Sequence, residues 1–248
     1  MADLLRMTSE ALVRMLRVIL GIMLIPVCLA VTQTFLFLMA VLGAEAGLDR
    51  SLPLLAVGVG VILWVLIFCV LPRPVRMYVL SHELTHALWG SIGGARIFSL
   101  RVSKTGGNVK MSDVNWLTTL APYFFPLYTV LVVLAYYLLA LFVDLRRWEL
   151  VWFGLIGLTL SFHWTFTLET LFQPQSDIRR YGRLFSYTLI YLLNVLGVSL
   201  MVVLVSPVTM DLFIEQLLRD IVGIAQGCGL ILGDVFRSVS PWVLRFLN

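Results

Sequence analysis

Five stretches of this chain contain no Asp, Glu, Lys or Arg: 18–44, 51–72, 114–143, 150–168 and 184–210. A helix needs roughly 20 apolar residues to cross a hydrocarbon core, and each stretch approaches or exceeds that length. The pattern predicts membrane helices rather than the narrow apolar stripes of a soluble bundle. The first run continues well past a signal-peptide core, so it reads as a retained helix, kinked at Pro26.

Two segments break the pattern between the second and third runs. Residues 76–91 form a shorter, more polar helical candidate containing SHELTHALWG. After it, Ile97, Leu100, Val102, Val109 and Met111 are interleaved with polar residues around Lys104-Thr105-Gly106-Gly107, which predicts a β-hairpin. Pro122 and Pro126 loosen the start of the following helix. Near the C-terminus, Ile214, Leu217, Leu218, Ile221 and Val222 oppose Asp211, Glu215 and Arg219, the spacing of an amphipathic helix lying at the membrane interface. The expectation is an all-α polytopic membrane protein with about six membrane helices, one of which carries the polar motif and is a candidate for a re-entrant segment. A single domain over 1–248 would comprise accessory helices (1–72), a chemical core (73–186) and a last membrane helix with the interfacial segment (187–248).

Composition sharpens this picture. Hydrophobic residues make up 60% of the chain and charged ones 13%, with a mean hydropathy of +0.97, too apolar for a soluble domain to cover. The net charge of +4 does not indicate nucleic acid, because the basic residues sit in short connections beside apolar runs, where lipid headgroups and orientation account for them. By that rule the hairpin (Arg96, Arg101, Lys104, Lys110) and the Arg179-Arg180-Arg183 loop are cytoplasmic, with the 144–149 connection outside. Arg6, Arg14, Arg17, Arg73 and Arg76 also ask to be inside, which leaves two alternatives: the motif helix is re-entrant and does not cross fully, or one basic cluster breaks the rule. Cys28, Cys69 and Cys228 are too few and too dispersed for a disulfide framework.

The chemistry concentrates in His82-Glu83-Leu84-Thr85-His86. Two imidazoles four residues apart project from one helical face and can share a zinc ion. Glu83 lies about 100° round, placed to act as general base toward the attacking water. With three histidines and six glutamates, this spacing arises by chance in roughly one such chain in a thousand. A third ligand could be His163, Glu169 or Asp177. His163 shares a polar stripe with Thr159, Thr167 and Thr170, which suits either a ligand or a hydrogen-bonding support for one. Glu169 falls off that stripe, and pairing with an arginine such as Arg179 is its ordinary role. Asp177 follows Pro174, where an irregular backbone can turn a carboxylate inward. Asn108 in the hairpin and Asn194 in the last apolar run are candidates for holding substrate, although interhelical hydrogen bonding is the commoner role of an asparagine such as Asn194.

SHELTHALWGSIGGARI resembles the motif helix of the site-2 protease family of intramembrane zinc metalloproteases, in particular its small bacterial and archaeal members without PDZ domains. The likeness runs over about 78–186: after the motif come β-structure at 96–111, a proline-containing helix at Leu120-Ala121-Pro122, and Gln175-Ser176-Asp177 in the place of the family's aspartate ligand. It implies a Zn2+ held by His82, His86 and Asp177, Glu83 as base, and a membrane-anchored protein or peptide as substrate, in a multi-pass protein of a prokaryotic cytoplasmic membrane. Thr85 stands where the family has glycine, and Ile178 where Asp-Gly is usual. A zinc-binding scaffold or pseudoprotease is the non-catalytic alternative, which intact Glu83 argues against. A prenyl-protein-processing protease would need Glu169 as its third ligand, and the surroundings of Glu169 do not resemble that motif.

Overall fold

The computed structural model describes residues 2–44, 48–103 and 106–246, so Lys104 and Thr105 of the expected turn lie outside the described residues. Helices dominate: α1 (Ala2–Ala44), α2 (Leu48–Val70), α3 (Val75–Ile92), then strands β1 (Ile97–Val102) and β2 (Gly107–Met111), then α4 (Trp116–Leu120), α5 (Leu127–Ala140), α6 (Glu149–Leu171), α7 (Ser176–Tyr181), α8 (Arg183–Val205) and α9 (Met210–Phe246). Among the described residues four helices are long and apolar enough to cross a membrane, at Glu10–Ala44, Leu52–Val70, Arg146–Leu171 and Arg183–Val205. A fifth span exists if the pair Trp116–Tyr123 and Leu127–Ala140, bent by 82°, counts as one. The bend falls where Phe125 precedes Pro126, which lacks the N–H an unbroken helix would use. Pro26, in contrast, sits inside a helix that continues through it.

The chain forms two compact units, Met1–Gly43 with Tyr191–Asn248, and Ala44–Ile190. In the first, Thr34 of α1 is fully buried and donates to Asp220 Oδ2 of α9 (2.7 Å), while Gln216 donates to Asp220 Oδ1 (3.0 Å). Ile214, Leu218, Ile221 and Val222 of α9 remain exposed, and Arg219 pairs with Glu215 one turn away. Four of the five residues of the expected apolar stripe are thus exposed, and Leu217 is half-buried.

The second unit is built on close contact of α2 with α6. A methyl group at Gly60 would stand 1.9 Å from the carbonyl oxygen of Gly154, and one at Gly157 would stand 2.0 Å from that of Val57. Only glycine permits such backbone approach, the means by which helices associate where water supplies no driving force. Further along, Trp64, Phe162 and Phe166 form a buried aromatic cluster, and Trp64 Nε1 donates to Thr165. Tyr78 of α3 stacks on Phe166 with centroids 4.8 Å apart, fixing α3 against α6. Glu169 pairs with Arg73, which also lies over the Phe68 ring, and not with Arg179 as the sequence suggests. Their 96-residue separation hides that partner from any local reading.

The hairpin is antiparallel, with Val102 opposite Gly107 and an irregularity between Ile97 and Ser99. It lies against α3. The added Cβ of Gly90 would meet Met111 Sδ at 3.0 Å, and that of Gly107 would meet Glu83 Cγ at 2.4 Å. Two glycines, one on each element, let β2 run along the motif helix.

Candidate metal centre

On α3 the four-residue spacing brings the rings of His82 and His86 edge to face, with centroids 4.8 Å apart. Thr85 between them is buried and donates to the carbonyl of Ser81, one turn back (2.7 Å). The threonine hydroxyl is therefore satisfied within its own helix.

Asp177 reaches the pair from another part of the chain. Pro174 follows the end of α6, and Gln175 Nε2 donates to the carbonyl of Thr170 (3.2 Å). The chain then starts α7, with Asp177 in its first turn and its Oδ2 3.8 Å from His86 Nε2. One donor atom each of His82, His86 and Asp177 lie within 4.8 Å of one another, so some point is within about 2.8 Å of all three, and a contraction of under about 1 Å gives zinc bond lengths.

The surrounding hydrogen bonds suit a metal. His86 Nδ1 lies 2.8 Å from the carbonyl of Thr118, which can only accept, so Nδ1 carries the proton and the lone pair is on Nε2, facing Asp177. The Tyr78 hydroxyl is 3.4 Å from His82 Nδ1 and accepts from Thr170 Oγ1 (2.8 Å). Tyr123, fully buried, donates to Asp177 Oδ2 (3.1 Å) and sets its ring edge-on to His82. Burial lowers the pKa of His82, to about 3, with the charges of His86 and His163 adding to it, and burial also lowers that of His86. Neutral imidazoles are the form that ligates. The donor set of two neutral imidazoles and a carboxylate fits zinc.

Glu83 is buried beside this cluster. Desolvation, and secondarily the charge of Asp177, raises its pKa to about 7. The cavity containing these groups measures about 460 Å3 and is bordered by Gly106, Gly107, Asn108, Val109 and Met111 from the hairpin side, and by Gln175 and Arg180 from the other.

Of the residues singled out from sequence, His82, Glu83, His86, Asp177 and Asn108 thus border one cavity. His163 is buried on α6 outside the three-residue cluster, near enough to His82 to act on its charge, and Thr170 of the same stripe donates to Tyr78 beside His82. Asn194 belongs to the other unit. Tyr78, Tyr123 and the Thr118 carbonyl were not anticipated. Tyr78 precedes His82 by four residues and shares its face, a readable signal, whereas nothing near Tyr123 points toward Asp177.

No family model matches the chain, and no curated protein or solved structure does either.

Proposed function

We propose that this chain is an intramembrane zinc metalloprotease that hydrolyses peptide bonds of membrane-anchored protein substrates. The observation that carries the reading is the convergence of His82, His86 and Asp177 with a buried Glu83 beside them. Metal retention alone has no use for that fourth group. Zinc bound there supplies Lewis acidity to a scissile carbonyl and to the attacking water.

The chain's own residues do the rest. Glu83 takes a proton from the water and delivers it to the leaving amine, and a carboxyl raised to about 7 both accepts and releases a proton near neutrality. The Thr118 carbonyl and the Tyr123 hydroxyl hold His86 and Asp177 in place. Five residues from 106 to 111 border the cavity and none from β1 does, among the described residues. An extended substrate therefore adds along β2, where main-chain groups and Asn108 hold it across Glu83.

Counting the bent pair as one crossing and α3 as none gives five crossings. Substrate then reaches the site from the face where α3, the hairpin and α7 meet.

The test is Glu83→Gln, which keeps shape but removes the base. Cleavage of a membrane-tethered reporter should be abolished, with zinc content and thermal unfolding unchanged. Retained turnover would refute the base, and a wild-type protein that binds zinc without cutting any tethered reporter would favour the scaffold alternative.

A further inference from the structure

A second cavity, of about 220 Å3, lies on the far side of α7 from the metal cluster. The six residues of α7 separate the two: Asp177 and Arg180 border the metal cavity, whereas Arg179 borders the second, and Gln175 borders both. Gly182, at φ +92°, turns the chain after α7 in a conformation that L side chains rarely adopt. That turn brings Arg183, the first residue of α8, to the same cavity as Arg179. Tyr187, one turn further, also borders it, with its hydroxyl donating to the carbonyl of Leu171.

No acidic residue borders this cavity, and no carboxylate among the described residues lies within ion-pair distance of Arg179 or Arg183. Two arginines bordering one cavity without a protein carboxylate suit an anion, and the planar fork of a guanidinium matches phosphate oxygens in bidentate fashion. The position in the fold selects which anion. One candidate span ends at Leu171 and the next begins at Arg183, so the segment between them sits at the level of lipid headgroups. The cavity wall also carries Leu171 and Phe172, and Phe172 is 89% exposed. A large apolar side chain uncovered beside two arginines suits a ligand that is anionic at one end and apolar at the other.

The geometry points to a binding site for the phosphate headgroup of an anionic phospholipid, held by Arg179 and Arg183 with its acyl chains against Phe172 and Leu171. The inference rests on the membrane class of the chain and not on its proteolytic activity. Because α7 also carries Asp177, the bound headgroup braces the segment that brings the carboxylate to the histidines.

Full-length protein in detergent, titrated with short-chain phosphatidylglycerol, phosphatidylcholine or inorganic phosphate, tests the site through lipid counting by native mass spectrometry and through thermal unfolding. One phosphatidylglycerol per chain should bind about tenfold or more tightly than phosphatidylcholine and raise the unfolding midpoint, with inorganic phosphate giving no comparable shift. Arg179→Gln/Arg183→Gln should remove that preference, whereas Arg146→Gln/Arg147→Gln, which deletes as many charges elsewhere, should keep it. Equal loss in both double variants would reduce the effect to bulk charge and overturn the site. A shift with inorganic phosphate equal to that with the lipid would overturn the lipid assignment in favour of a free phosphate. Should the Gln pair not fold, the wild-type count alone decides, and phosphatidylglycerol bound without a one-per-chain preference over phosphatidylcholine sinks the proposal.

Discussion

Replacing Gly107 with alanine perturbs Glu83, the proposed base, and the nearest contacts of the added carbon are all to that side chain and not to His82, His86 or Asp177. The new methyl group would lie 2.4 Å from Glu83 Cγ, 2.7 Å from Oε1 and 2.8 Å from Cδ, against an ordinary contact of 3.4 Å or more. Something must move by about 1 Å. The strand is tied into its ladder with β1 and seated through Met111 on Gly90, so the Glu83 side chain is the part that yields. Driving it off its rotamer costs on the order of 0.5–1.5 kcal/mol, a modest loss of stability. A catalytic group misplaced by about 1 Å loses on the order of 10²-fold in rate, equivalent to roughly 2.7 kcal/mol of barrier. Gly107→Ala should therefore fold, hold its zinc and cleave a tethered reporter about a hundredfold more slowly under single-turnover conditions. Elemental analysis and thermal unfolding accompany the rate measurement. A rate within twofold of wild type in folded protein would refute the contact, and zinc lost along with activity would show that the hairpin supports the ligands rather than the base.

Other substitutions probe the rest of the structure. Asp177→Asn should strip most of the zinc while His163→Ala leaves it bound, and metal analysis of the two side by side reverses the assignment if the losses are exchanged. Gly157→Ala should destabilise by about 1–3 kcal/mol through overpacking of α2 on α6, whereas Gly58→Ala, with open space around its Cβ, should be neutral or slightly stabilising; equal unfolding midpoints would contradict the close approach. Thr34→Val should cost about 1–3 kcal/mol because the buried hydroxyl leaves Asp220 short of a donor, and an unchanged midpoint would dismiss that bond.

What the sequence revealed and what it hid divide along the range of the interactions. His82, Glu83 and His86 were legible because one helical turn contains all three, and the hairpin because alternation and paired glycines are local signals. Asp177 could not be separated from His163 by pattern alone. Its arrival depends on a proline-broken turn and on the Gln175 hydrogen bond to Thr170, neither of which has a periodicity. Tyr123 was invisible for the same reason: its hydroxyl meets a carboxylate 54 residues away. The amphipathic pattern of α9 was readable, yet Asp220, between its faces, is held by Thr34 of α1, 186 residues distant. The long apolar helices were readable as well, since uncharged length is a property of the chain that no tertiary contact can disguise.

The bent pair also bears on the conflict left by the charges. Six full crossings, with the motif helix among them, would set the arginines near the N-terminus and those at Arg73 and Arg76 against the basic hairpin, which cannot all be retained on one face. Under the proposed five crossings, α3 enters and leaves from one side, and the bent pair from Trp116 to Ala140 makes a single passage. Arg73 and Arg76, the hairpin and the Arg179 to Arg183 segment would then share a face, with the 144–149 connection opposite, as the retention of basic residues requires. Packing within the second unit accounts for where the third member of the cluster comes from. Of the segments joining candidate spans, 172–182 is the one that follows α6, and α6 is already fixed to α3 through Tyr78 on Phe166. A carboxylate placed just beyond the end of α6 is thereby delivered to the histidines of α3.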